Sequence, residues 1–139
     1  MEYSIQFGGM PQDVTITTSG RADADGLIGF VRDLVANPRF RPGMLILVDH
    51  MAIDASRLTG ADVQAQARVV VELAGRLGRS KVGIVVPTPL TFGYARMYEH
   101  YAAETELESR VFYSRRDALA WLDSHRPSVD SPAAVPQPM

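Results

Sequence analysis

The chain has 139 residues, 46% of them hydrophobic and 22% charged, which fits one globular domain and excludes a wholly disordered chain. Its 14 basic and 16 acidic residues give a net charge of −2, so no strong field draws it to nucleic acid or anionic lipid. It has no cysteine, which removes disulfides, thiolate metal sites and a cysteine nucleophile together.

Tyr3-Ser4-Ile5-Gln6-Phe7 alternates apolar and polar residues, as a half-buried strand does. Turn chemistry follows from Gly8 to Gln12, and Val14-Thr15-Ile16-Thr17 alternates again, so the pair reads as a β-hairpin. A helix begins near Asp23; Leu27, Phe30, Val31, Leu34 and Val35 form its apolar stripe, and Asn37-Pro38 ends it. Pro42-Gly43 turns the chain into Met44-Leu45-Ile46-Leu47-Val48, an unbroken apolar run that suits a strand covered on both faces.

A loop is expected from Asp49 to Leu58. Thr59 with Asp62 then opens a helix as an acidic capping box, and the helix buries Val63, Ala67, Val70, Ala74 and Leu77 before Gly78 stops it. Arg68, Glu72 and Arg76 share its other face at ion-pair spacing. Val82–Val86 is the next buried strand. Thr88 caps a third long helix with Pro89 at its first position, running to about Ala103. Arg110–Tyr113 is the last strand, and Ser114 with Asp117 caps a final helix ending in Ala118–Leu122. Pro127, Pro132, Pro136 and Pro138 punctuate the rest.

The expected organisation is an α/β domain over residues 1–125, followed by a disordered Pro-rich tail over 126–139. The element order β-β-α-β-α-β-α-β-α predicts a mainly parallel five-stranded sheet with the first strand antiparallel. The opening residues show no export signal and no run is long enough to span a membrane, so a cytoplasmic protein is expected.

Several segments together resemble the SpoIIAA-like family of the STAS superfamily, the domains of sulfate transporters and anti-sigma-factor antagonists. They are the start of the first helix, Pro42-Gly43-Met44-Leu45-Ile46-Leu47-Val48-Asp49, Gly93-Tyr94-Ala95-Arg96-Met97-Tyr98, and Arg110-Val111-Phe112 with Asp117–Leu122. The likeness covers roughly residues 12 to 122. It implies a sheet with helices packed on it and a regulatory or protein-binding role without catalysis. The antagonists carry a phosphorylatable serine in an Asp-Ser-Ser-Gly-like segment. Asp54 and Ser56 of Ile53-Asp54-Ala55-Ser56-Arg57-Leu58 take that place, with Ala55 for one serine and Arg57 for the glycine.

Ligands of open α/β sheets sit beyond the carboxyl ends of the parallel strands. There the sequence offers Asp49, His50, Asp54 and Ser56 as a switch or binding loop, and Thr88, Thr91, Arg115 and Arg116 as an anion-binding set. Asp49, His50 and Ser56 also supply the residue types of a hydrolytic triad. Adjacent Asp49 and His50 tend to point apart, however, and there is no Gly-x-Ser-x-Gly elbow. His50, His100 and His125 are too scattered for a metal, and no cofactor is expected.

On the third long helix, Leu90, Tyr94, Met97 and Tyr101 are expected in the core. Phe92 then faces solvent beside Arg96, with Tyr98 on a flank, as a candidate interface for a protein partner or a second copy. The tyrosines Tyr94, Tyr98 and Tyr101 suggest a small apolar or lipid ligand as the competing reading. An apolar cavity would favour that second reading.

Overall fold

In the computed structural model, which describes residues 1–126, the two alternating N-terminal segments form the hairpin β1 (Glu2–Phe7) and β2 (Val14–Arg21). Phe7 lies opposite Val14 and Glu2 opposite Ser19. The chain continues through α1 (Ala24–Ala36), β3 (Leu45–Asp54), α2 (Gly60–Glu72), the single turn α3 (Ala74–Leu77), β4 (Lys81–Val85), α4 (Pro89–Ala102), β5 (Glu108–Phe112) and α5 (Arg115–Ser124). The expected Pro-rich tail lies outside the described residues, save Arg126, whose guanidinium donates to Pro11 O and to Asp13 Oδ1 at 3.0 Å.

The sheet runs in sequence order, β1-β2-β3-β4-β5, and only the first pair is antiparallel. Right-handed crossovers between successive parallel neighbours all return over the same side of a sheet. Accordingly α1, α2 and α4 share one face, here called the front, and α5 packs on the back against β3, β4 and β5. The run Leu45–Val48 feeds both sides. Ile46 and Val48 enter the front core, while Leu45 and Leu47 meet Val85, Ala118 and Leu122 behind. No helix among the described residues is long and apolar enough to cross a membrane.

The helix starts follow the sequence closely. Asp23 Oδ1 accepts from Gly26 N at 2.6 Å, Thr59 and Asp62 form a reciprocal capping box, and Ser114 Oγ accepts from Asp117 N at 3.1 Å. Thr88 and Thr91 cap α4 in the same reciprocal way, with Pro89 just inside.

Three expectations are corrected. First, the helix expected to run unbroken from Thr59 to Gly78 is interrupted at Leu73, whose ψ of 8° takes the chain out of the helical path. Gly75 favours a break, being a poor helix former, and the displaced turn lets Arg76 donate to Val35 O at 2.6 Å, at the end of α1. Ala74 is consequently half-buried rather than core.

Second, the segment expected as a loop from Asp49 continues β3 to Asp54. This stretch pairs with β2 alone, since the ladder to β4 stops at Asp49 opposite Val85. A strand with one neighbour and one covered face carries polar residues, so it lacks the apolar run of a central strand. Within it the register shifts: Thr17 faces Asp49 but Ser19 faces Ala52, leaving His50 and Met51 opposite Thr18 as a bulge.

Third, α4 is rotated by about one residue, roughly 100°, from the expected phase. Its buried positions are Thr91, Ala95, Tyr98 and Ala102, while Leu90 is 53% exposed and Tyr101 also faces outward. Small residues at three of those four positions let the helix lie close to its neighbours. Tyr94 and Met97 sit half-buried beside the start of α2, where Tyr94 Oη donates to Leu58 O at 2.7 Å.

Candidate functional site

Between the front of the sheet and the helices α1, α2 and α4 lies a cavity of about 90 Å³. A single water needs only ~10–15 Å³, so this is a larger gap than ordinary core packing leaves. Its wall is almost wholly aliphatic and aromatic: Ile16, Phe30, Val48, Val70, Ile84 and Tyr98 represent the elements that enclose it. Four polar residues join them, namely His50, Gln66, Thr91 and Tyr94, along with the hydroxyl of Tyr98.

The bulge in β3 places His50 in this wall. Its neighbour Asp49 lies on the back, where its carboxylate accepts from Arg115 Nη1 of α5 at 3.0 Å. The His50 ring is 6.0 Å from Phe30 between centroids, and Nδ1 is 2.6 Å from Thr18 Oγ, itself buried and 3.3 Å from Asp49 O. Removal from water pushes the imidazole pKa down to about 4, and the nearby Asp49 carboxylate offsets only part of that. At neutral pH His50 is therefore uncharged. Gln66, also buried, donates its amide to Leu27 O at 3.3 Å. Tyr98 is 8% exposed, and burial raises its phenol to about 12.

The residues singled out from the sequence are only partly brought together. Asp49 and His50 face opposite sides of the sheet, and His50 bonds Thr18 rather than Ser56, so the triad geometry does not form. Asp54 closes β3 and caps the next turn, its Oδ1 accepting from Ser56 N at 2.9 Å. That bond holds its carboxyl below the usual range. Ser56 is exposed, but Arg57, Leu58 and Thr59 separate it from the first residue of α2, away from a helix start.

The anion set is likewise dispersed. Thr91 is buried with its hydroxyl engaged by Thr88, and Arg115 is taken by Asp49, which leaves Arg116 exposed without them. On α4, Phe92 is not open to solvent as expected but half-buried, stacked on Tyr113 at 4.7 Å and 19°. Arg96 pairs with Glu99 at 3.3 Å, and Tyr98 lies in the core, so no shared surface of Phe92, Arg96 and Tyr98 exists. Tyr101 does not line the cavity, although Tyr94 and Tyr98 do.

Thr18, Gln66 and Phe30 were missed as site residues. Gln66 carried a signal, a polar side chain set among Val63, Ala67 and Val70 on the inner face of α2. The pairing of Thr18 with His50 depends on the bulge and has no local signature. The Asp49–Arg115 pair is half exposed on the arginine side, so Arg115→Ala should cost no more than about 1 kcal/mol in urea unfolding.

Comparison with known proteins places the architecture. No protein-family model and no curated protein matches the chain. A solved structure does, that of an uncharacterized protein of the DUF3478 family with a SpoIIAA-like fold from Shewanella loihica. The two superpose with a TM-score of 0.57 at 18% identity, over 87% of this chain and 92% of that one. The fold is SpoIIAA-like. At that identity the likeness carries architecture and not activity. In the SpoIIAA-like fold as built here, the front cavity lies beneath the three crossover helices, and its polar residues gather from β3, α2 and α4.

Proposed function

We propose that this protein is a non-catalytic binding module that takes a small apolar molecule between the front of its sheet and α1, α2 and α4. The observation that carries the reading is the 90 Å³ cavity with its nearly continuous apolar wall. It is of the same order as the ~150 Å³ apolar cavity that accommodates a benzene ring. Such a site binds by removing ligand surface from water and by recovering contacts that the wall atoms lack across the gap. The competing reading, a protein-facing interface on α4, draws less support. Phe92, Arg96 and Tyr98 are engaged by Tyr113, by Glu99 and by the core.

Thermal unfolding with a small apolar probe tests the reading. Benzene at tenfold over its Kd should stabilise the native chain by about 1.4 kcal/mol. Ala95→Leu, which adds three carbons to the cavity wall, should abolish the shift, read against the variant's own melting without benzene because a larger side chain there also crowds α4. A native chain whose melting is indifferent to saturating benzene would refute the proposal.

A further inference from the structure

We infer that the cavity selects an uncharged ligand whose polar end carries two hydrogen-bond donors, such as an arylamine, and that His50 Nε2 and Gln66 Oε1 are the acceptors that receive them. This rests on the apolar-ligand reading above and adds the chemistry of the ligand's head.

Gln66 is oriented by its single hydrogen bond. Leu27 O can only accept, so the contact at 3.3 Å must come from the amide nitrogen of Gln66, which fixes the orientation of the side chain. The remaining atom, Oε1, is an acceptor and makes no hydrogen bond to the described residues. His50 is fixed by similar accounting. Thr18 Oγ has one proton and two contacts, to Asp49 O and to His50 Nδ1. Both contacts hold a proton only if Thr18 donates to Asp49 O and Nδ1–H donates to Thr18 Oγ. The neutral imidazole then carries its proton on Nδ1, and Nε2 is a bare acceptor on a residue that lines the cavity.

The two acceptors belong to one neighbourhood. His50 lies against Phe30, Phe30 stands one turn beyond Leu27 on α1, and Gln66 reaches the carbonyl of Leu27. Two neutral acceptors in an apolar wall repel a carboxylate or phosphate. They are also too weak to offset the burial of an ammonium ion, and no Lys, Arg, Asp or Glu lines the cavity to help. A neutral donor satisfies them at least cost. Thr91 and Tyr94 already give their protons to Thr88 O and Leu58 O, and the Tyr98 hydroxyl lies against Ser109.

Benzene and aniline differ by one amino group, uncharged at pH 7.5, and test the inference directly. Affinities of both are measured by calorimetric titration at pH 7.5 for the native chain, His50→Phe and Gln66→Met. His50→Phe keeps a ring against Phe30 without either nitrogen, and Gln66→Met keeps length without the acceptor. Benzene affinity should stay within about twofold in both variants, while aniline affinity falls about three- to tenfold in each, since each variant removes the acceptor of one of the two N–H protons. Aniline affinity that is unchanged, or that falls in step with benzene, overturns the inference while leaving the apolar reading standing. Failure of both probes to bind the native chain overturns the apolar reading, and this one with it. Should His50→Phe not fold, the aniline-to-benzene ratio of Gln66→Met decides alone.

Discussion

Leu122→Ala should destabilise the protein by about 2–5 kcal/mol, read as a fall in the midpoint of urea unfolding. The back of the sheet has a small core: Leu45, Leu47, Val85 and Ala118 surround Leu122, which is 0% exposed. Gly83 of β4 belongs to the same arrangement. A Cβ there would meet Ala118 Cβ at 3.4 Å and Leu122 Cδ1 at 3.5 Å, ordinary contact distances, so α5 lies directly over this strand. Among the described residues no other helix covers this face, and the truncation leaves a gap that its few neighbours cannot close. A domain with a total stability of ~5–15 kcal/mol loses a large fraction of it. Truncation before Trp121 removes Leu122 together with the Trp121 ring that packs near Phe112, and cooperative unfolding should disappear. If Leu122→Ala costs less than about 1 kcal/mol, α5 does not hold the back of the sheet.

The second large effect is acid sensitivity seated at His50. The imidazole has a pKa near 6.5 in an unfolded chain and about 4 in the folded one. A depressed folded pKa contributes stability that is complete above 6.5 and is lost as pH falls from 6.5 through 4. That gap corresponds to up to about 3 kcal/mol. The carboxylates held low by hydrogen bonds, Asp23 and Asp54, lose their contribution only further down, below the usual carboxylate range. Glu99, raised by burial, works in the opposite sense. Unfolding free energies measured between pH 7.5 and 4 should therefore fall for the native chain and remain much flatter for His50→Phe. Parallel curves for the two proteins would show that His50 is solvated, and would remove it from the cavity wall.

These two residues mark what the sequence makes legible and what it hides. Leu122 follows from local signals: Ser114 and Asp117 cap a short amphipathic helix, and the caps hold in the structure. The parallel sheet follows in the same way, from apolar runs alternating with helical stripes. The position of His50 does not, because it depends on β2 extending to Arg21 and pairing with a polar segment, and on a bulge that turns two successive residues past Thr18. The phase of α4 was misread for a related reason. Tertiary packing there uses the small side chains Thr91, Ala95 and Ala102 for close approach, while a periodicity argument follows the large ones. A cavity is a mismatch between elements, and no single segment records it. Gln66 alone hinted at it, as a polar residue on an apolar helix face.

The most direct measurement is a methyl spectrum of the Ile, Leu and Val side chains recorded with and without saturating benzene. The sheet provides its own control, since the front and back cores are separated by one layer of backbone. Shifts should concentrate at Ile16, Val48, Val70, Ile84 and Leu107, with Leu45, Leu47, Val85 and Leu122 unmoved. Shifts absent from the front methyls, or spread equally over both cores, would contradict a ligand site between the sheet and its three helices.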